Sequence, residues 1–230
     1  MNLVSNINSL EIGGLNCHIC EIDGSESDEK NVVYMGMYRF REDEIEHIVS
    51  CIDEVAGCGI LLVMFEVDNW NNQLSPWPAK NADTIFEGDG KQTLNILTDK
   101  VIPYIKENYA CYRRQWIMGY SLAGLFALWA AMETEFFDGV ISCSGSLWYP
   151  GFMDYFARNY DKCPEYIYIS VKPVTHLIPF ASLFPESAKC PPGFISYLTI
   201  LFSCNVLTTF LVHSPTDAIS GFLDFPKVII

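Results

Sequence analysis

The stretch "QWIMGYSLAGL", Gln115 to Leu125, places one serine between small residues directly after a short apolar run. "QWIMGY" reads as a strand and "LAGLFALWAAMET" as a helix, so Ser121 falls at a strand-to-helix turn. Gly119, Ala123 and Gly124 stand at −2, +2 and +3 from it. A sharp turn of this kind cramps its central residue and needs small neighbours at those positions. It also lifts the hydroxyl clear of the sheet, beside a helix N-terminus whose first N–H (here Leu122) can donate to a developing oxyanion. The strict motif has glycine at +2, where this chain has Ala123. In isolation, Gly-x-Ser-x-small also occurs in ordinary tight turns. The order strand, turn, helix, strand raises the nucleophile reading above that alternative.

Outward from Ser121, strand and helix alternate. "SLEIGGLNCHICEID" opens as paired strands, followed by a polar acidic turn, "GSESDEK". "NVVYMGM" and "GILLVMFEV" are continuous apolar runs, which suit a parallel sheet covered on both faces. Between them, "REDEIEHIVSCIDEVA" puts Ile45, Ile48, Ile52 and Val55 on one helical face. "DNWNNQLSPWPA" reads as a loop, and "TLNILTDKVIPYIKENY" as a helix that bends or restarts near Pro103. "FDGVISCSG" and "YIYISV" are further strands. The rhythm predicts an α/β fold, doubly wound or related.

The chain has 230 residues, enough for one such domain, and half of them are hydrophobic, which argues against disorder. A formal charge of -14 disfavours nucleic acid and anionic membrane surfaces as partners. "MNLVSNINSLEIGG" lacks the basic and apolar regions of a signal peptide. The nine cysteines are therefore expected as reduced thiols in the cytoplasm. Cys17 and Cys20 have CxxC spacing, but they lie in a strand-like alternation with no second pair. Ordinary strand residues are expected there rather than a metal or redox centre, and no motif calls for a cofactor.

The segments "DNWNNQLSPWPA", "FEGDGKQTLNILTDKVIPYI", "WIMGYSLAGLFALWA" and "FFDGVISCSGSLWYPGF" occur in that order. Together they resemble the putative esterase family of α/β-hydrolases, which includes esterase D-like and enterochelin esterase-like enzymes, over roughly residues 31–171. The resemblance implies a mostly parallel sheet with helices on both faces. It implies cleavage of a small carboxylic ester or thioester through an acyl-enzyme on Ser121. Leu122 would supply one oxyanion donor, and the loop after "VVYMG", around Met37, the second. Trp70, Trp77 and Trp148 would line an apolar substrate pocket; for each, capping of the core is the alternative.

In that family the acid and then the histidine follow the nucleophile in the chain. Here "KPVTHLIPF" stands after "YIYISV", and the first carboxylate beyond it is Glu186. His18 and His47 precede the serine and read as structural or surface residues. His176 and His213 have the right order; His213, near Asp217, is the candidate base, with a non-catalytic role open for both. The composition also changes near Val171. Residues 172–230 hold only six charged side chains and seven of the twelve prolines. The reading is a core of residues 1–171 and a divergent apolar tail, 172–230. That tail is a frame-shifted or unrelated terminus, a divergent core helix, or a membrane anchor over Gly193 to Val212. The alternatives to an active esterase are a relative without the acid and histidine half of the triad, and a membrane-tethered protein.

Overall fold

The opening alternation folds as an antiparallel hairpin, β1 (Ile7–Ile12) and β2 (Leu15–Ile22), turned by Gly13 and Gly14, both at positive φ. The computed structural model describes residues 7–22, 30–39, 42–53, 58–109 and 112–170, with the backbone of 195–198 and 210–213. The expected acidic turn after β2 lies outside these residues, as does Val55. The two apolar runs form β3 (Lys30–Tyr38) and β4 (Gly59–Val67), paired in parallel and joined through helix α1 (Glu42–Asp53). Ile45, Ile48 and Val49 of that helix are buried, and Ile52 packs beside them.

The Trp-rich segment expected as a plain loop carries more structure than its composition suggests. Asn69 caps a short helix, α2 (Trp70–Gln73), by accepting from the Asn72 N–H at 3.2 Å. A small hairpin follows, β5 (Ala79–Asn81) with β6 (Thr84–Phe86). The proline-containing helix divides as expected into α3 (Gly90–Ile96) and α4 (Ile102–Asn108). A π-helical turn, Leu97–Val101, joins them. Pro103 has no N–H for the Asp99 carbonyl and its ring would press on that oxygen; the wider turn accommodates both.

Three more strands, β7 (Arg114–Tyr120), β8 (Gly139–Cys143) and β9 (Tyr166–Ser170), extend the sheet in parallel. Helix α5 (Leu122–Glu133) links β7 to β8, and α6 (Phe152–Asn159) links β8 to β9. The strand order is β1-β2-β4-β3-β7-β8-β9, antiparallel over the first three and parallel over the rest. Period-two alternation sends Cys17 and Ile19 to one face and Cys20 and Ile22 to the other. The two cysteines of the CxxC thus face opposite cores and behave as strand residues.

One core contains residues of α3 to α6; the other is covered, among the described residues, by α1. Helix α5 is the central piece. Leu122 to Met132 are all buried, so it has no solvent face. Of the tail, Ile195–Leu198 (β10) and Phe210–His213 (β11) pair antiparallel as a separate ribbon. These parts of the Gly193 to Val212 stretch are extended, and the rest of it lies outside the described residues. No helix among the described residues is long and apolar enough to cross a membrane.

Removing the Phe126 ring, buried against Phe65 at 6.3 Å between centroids, leaves a cavity in the larger core. Phe126→Ala is expected to cost about 3–5 kcal/mol, read as a lower urea midpoint at unchanged m-value.

Candidate active site

Ser121 occupies the N-cap position of α5 with φ 57 and ψ −120, a backbone conformation that non-glycine residues rarely adopt. A serine at an N-cap ordinarily turns its hydroxyl onto the first helical N–H groups. Ser121 makes no such bond, so its Oγ is not engaged by its own helix. The turn holds because α5 crosses the end of β7 at very short range. A Cβ on Gly119 would overlap the backbone carbonyl of Ala123, and one on Gly124 would stand 2.9 Å from the Gly119 oxygen. Ala123 fits at +2 because it faces Gly36 of β3, where even an added Cβ would lie 3.7 Å from its methyl. The departure from the strict motif is therefore sterically permitted.

The loop after β8 closes on this turn. Ser144 takes φ 46 and bends the chain back toward α5. The Ser121 N–H donates to the Cys143 carbonyl at 3.0 Å, and the Ser146 N–H donates to the Ser121 carbonyl at 2.9 Å. Ser146 Oγ lies 3.4 Å from Ser121 Oγ and its residue is 2% exposed. Leu122 is N1 of α5, where a backbone N–H has no intrahelical acceptor. Burial pushes the Cys143 thiol up to about 12 and raises the Tyr168 hydroxyl as well. Ser142, Cys143 and Ser146 are buried around the half-exposed Ser121, and fixed dipoles are less screened in such surroundings than at a wet surface.

The other candidate residues are dispersed around this point. Met37 is not in a loop: β3 runs on to Tyr38, and Met37 pairs in register with Glu66 of β4. Trp148 follows Ser146 by two residues and is 58% exposed, with its ring 6.3 Å from Phe86. Trp77 is integrated in the fold. Its Nε1 donates to the Pro150 carbonyl at 3.0 Å, its carbonyl accepts from the Tyr149 hydroxyl, and it stacks on Phe152. Trp70 is half-buried and meets Tyr38 edge-on at 6.5 Å. The backbone of His213 closes β11, paired with Ile195, while its side chain, His176 and Asp217 lie outside the described residues.

Sequence reasoning singled out neither Ser146 nor the surroundings of His18. Ser9 Oγ lies 2.7 Å from His18 Nδ1, and His18 Nε2 lies 3.2 Å from Glu66, which also accepts from Asn16 at 3.1 Å. The connectivity is serine, histidine, acid. Ser9 is mid-strand, however, with no helix N-terminus beside it to hold an oxyanion, and the network ties β1, β2 and β4 together. The spacing of Ser9 and His18 across the Gly13-Gly14 turn was the available signal, since residues equidistant from a hairpin turn are cross-strand partners.

A family model described as "Putative esterase" matches residues 50–165, half of the chain and the part that carries the turn. The chain belongs to this esterase family. It is 30% identical over 115 residues to "Uncharacterized protein YbbA" of Bacillus subtilis (strain 168), covering 47% of this chain and 46% of that protein. It therefore spans about half the length of the curated relative it matches. Among solved structures, the siderophore hydrolase EstA from Aspergillus nidulans aligns with a TM-score of 0.50 at 17% identity, over 70% of this chain and 68% of the other. An IroE-like serine hydrolase from Shewanella oneidensis aligns with a TM-score of 0.56 at 16% identity, over 68% and 56%. At these identities the likeness is one of fold, and the fold of this esterase-family chain is that of the α/β-hydrolases.

Two measurements test the turn at Ser121 and the burial around it. Gly119→Ala presses a methyl group against the Ala123 carbonyl of α5, which has no room to withdraw, and is expected to cost about 1–3 kcal/mol, with a melting temperature lower by about 2–4 °C per kcal/mol. Cys17 and Cys143 thiols, both raised to about 12 by burial, are protonated at pH 8. Mass-spectrometric mapping after brief treatment of native protein with a thiol reagent should find Cys51, half-buried on α1, modified before either of them.

Proposed function

We propose that this chain is a serine esterase that cleaves small carboxylic esters or thioesters through an acyl-enzyme on Ser121. The observation that carries the reading is the N-cap serine that does not cap. Its backbone is held in a strained conformation by the Gly119–Ala123 approach, and its hydroxyl is left unused by the helix. In the first step Ser121 Oγ bonds to the ester carbonyl carbon, and the carbonyl π pair moves onto oxygen. The Leu122 N–H and a donor from the end of β3 at Met37 receive that charge. The Ser121 proton passes to a base, for which His213 is the residue with the required chain order. Collapse of the intermediate expels the alcohol or thiol, which takes the proton. Water then releases the acid by the reverse sequence. Trp148 walls the substrate pocket, Trp77 supports the loop that carries it, and Trp70 flanks the Met37 end. No step calls for a metal or cofactor. A cytoplasmic location belongs to this reading.

One observation favours a second reading, a relative of the family without turnover. Strand β9 ends at Ser170, where the family order places the acid, and no carboxylate occurs from Val171 to Pro185. A fluorophosphonate probe separates the two. Under the esterase reading it labels the folded protein on Ser121, Ser121→Ala abolishes the labelling, and His213→Ala slows it by on the order of 100-fold or more. Folded protein that stays unlabelled is the result expected of the inactive relative.

A further inference from the structure

We propose that Ser146 is a positioning residue for the acyl-transfer step, its hydroxyl donating to Ser121 Oγ and stabilising that oxygen whenever it carries negative charge. The inference rests on the reading of Ser121 as the nucleophile. Three features of the loop after β8 support it. The Ser146 N–H is already bonded to the Ser121 carbonyl at 2.9 Å, which fixes the two residues to each other through the backbone. Ser144 at φ 46 and a course so tight at Gly145 that an added Cβ would collide with Ser142 Oγ define the loop. Ser146 is 2% exposed, so bulk water does not compete for its hydroxyl. Ser146 Oγ is the side-chain partner of Ser121 Oγ among the described residues.

At 3.4 Å the contact is long for an O–H···O bond. Catalytic hydrogen bonds commonly start long in the free enzyme and shorten as charge develops. Donation by Ser146 leaves the Ser121 proton free to pass to the base. Ser146 keeps its own proton throughout and forms no covalent bond. As the base draws off the Ser121 proton, Oγ gains negative charge and the contact shortens; once the new C–O bond is complete the charge has moved to the carbonyl oxygen and the contact relaxes. When the acyl-enzyme is hydrolysed and Oγ departs, the contact forms again and stabilises the leaving oxygen. The buried floor, where the Cys143 thiol is held at about 12, makes one oriented dipole more effective there than at a wet surface.

The test is the time course of fluorophosphonate labelling for the wild type, Ser146→Ala, Ser146→Thr and Ser121→Ala, each first checked for a cooperative melt. The maximal labelling rate of Ser146→Ala is expected to fall on the order of 10- to 100-fold, with the concentration for half-maximal rate changed by less than about two-fold. Ser146→Thr, which keeps the hydroxyl, should recover most of that rate. A wild-type rate in Ser146→Ala overturns the proposal, and so does a Ser146→Thr as slow as the alanine variant, which would assign the effect to packing. Wild-type protein that is not labelled at all overturns the Ser121 reading itself, and this inference with it.

Discussion

Helix α5 packs against the end of β7 at a distance that excludes even a methyl group at position 119. Because the helix is buried from Leu122 to Met132, it cannot move outward to relieve that contact. The sheet beneath it, the helices beside it and the loop after β8 are all arranged around an element with no solvent face. The turn at Ser121 is a consequence: the chain must reverse from a central strand into a central helix within one residue, at φ 57. Interior packing is dense and resists the small shifts that would relax such a residue.

The same constraint shapes the chemistry. A serine in a relaxed turn would hydrogen-bond the first helical N–H groups, which stabilises the helix and occupies the hydroxyl. At Ser121 the strained backbone aims the hydroxyl away, and the Leu122 N–H is left without an intrahelical acceptor. The Ser121 N–H donates to the Cys143 carbonyl at the end of β8 and the Ser146 N–H donates to the Ser121 carbonyl, so the strain is held from both sides. Oriented dipoles of this kind gain from buried surroundings, because they need not reorganise when charge appears.

Much of this was legible in the residues. The Gly119 to Gly124 spacing located the turn, the continuous apolar runs located the central strands, and the Ile45, Ile48, Ile52 stripe located α1. Other features were not. "DNWNNQLSPWPA" is rich in turn formers and hides a capped helical turn; the hairpin just after it is stabilised by long-range contacts from Trp77 to Tyr149 and Pro150. Helix α6 lies in a short stretch rich in aromatic residues, where the four-residue spacing of its buried Phe152 and Phe156 is the one helical signal. That β3 carries Met37 and Tyr38 in register with β4, where a donor loop around Met37 is expected, depends on pairing between distant segments rather than on local preference.

The sequence by itself determined the alternation of strand and helix and the small residues that a strand-to-helix turn requires. Those are local properties, set by side-chain size and by apolar periodicity. Only the tertiary structure decided that Trp77 is a bolt in the fold while Trp148 stands open, that Met37 lies within a strand, and that Ser146 meets Ser121. Each of these depends on which distant segment arrives at the same place. Ser121 and Ser146 are separated by the whole of α5 and β8, and no pattern within either segment encodes the 3.4 Å between their hydroxyls.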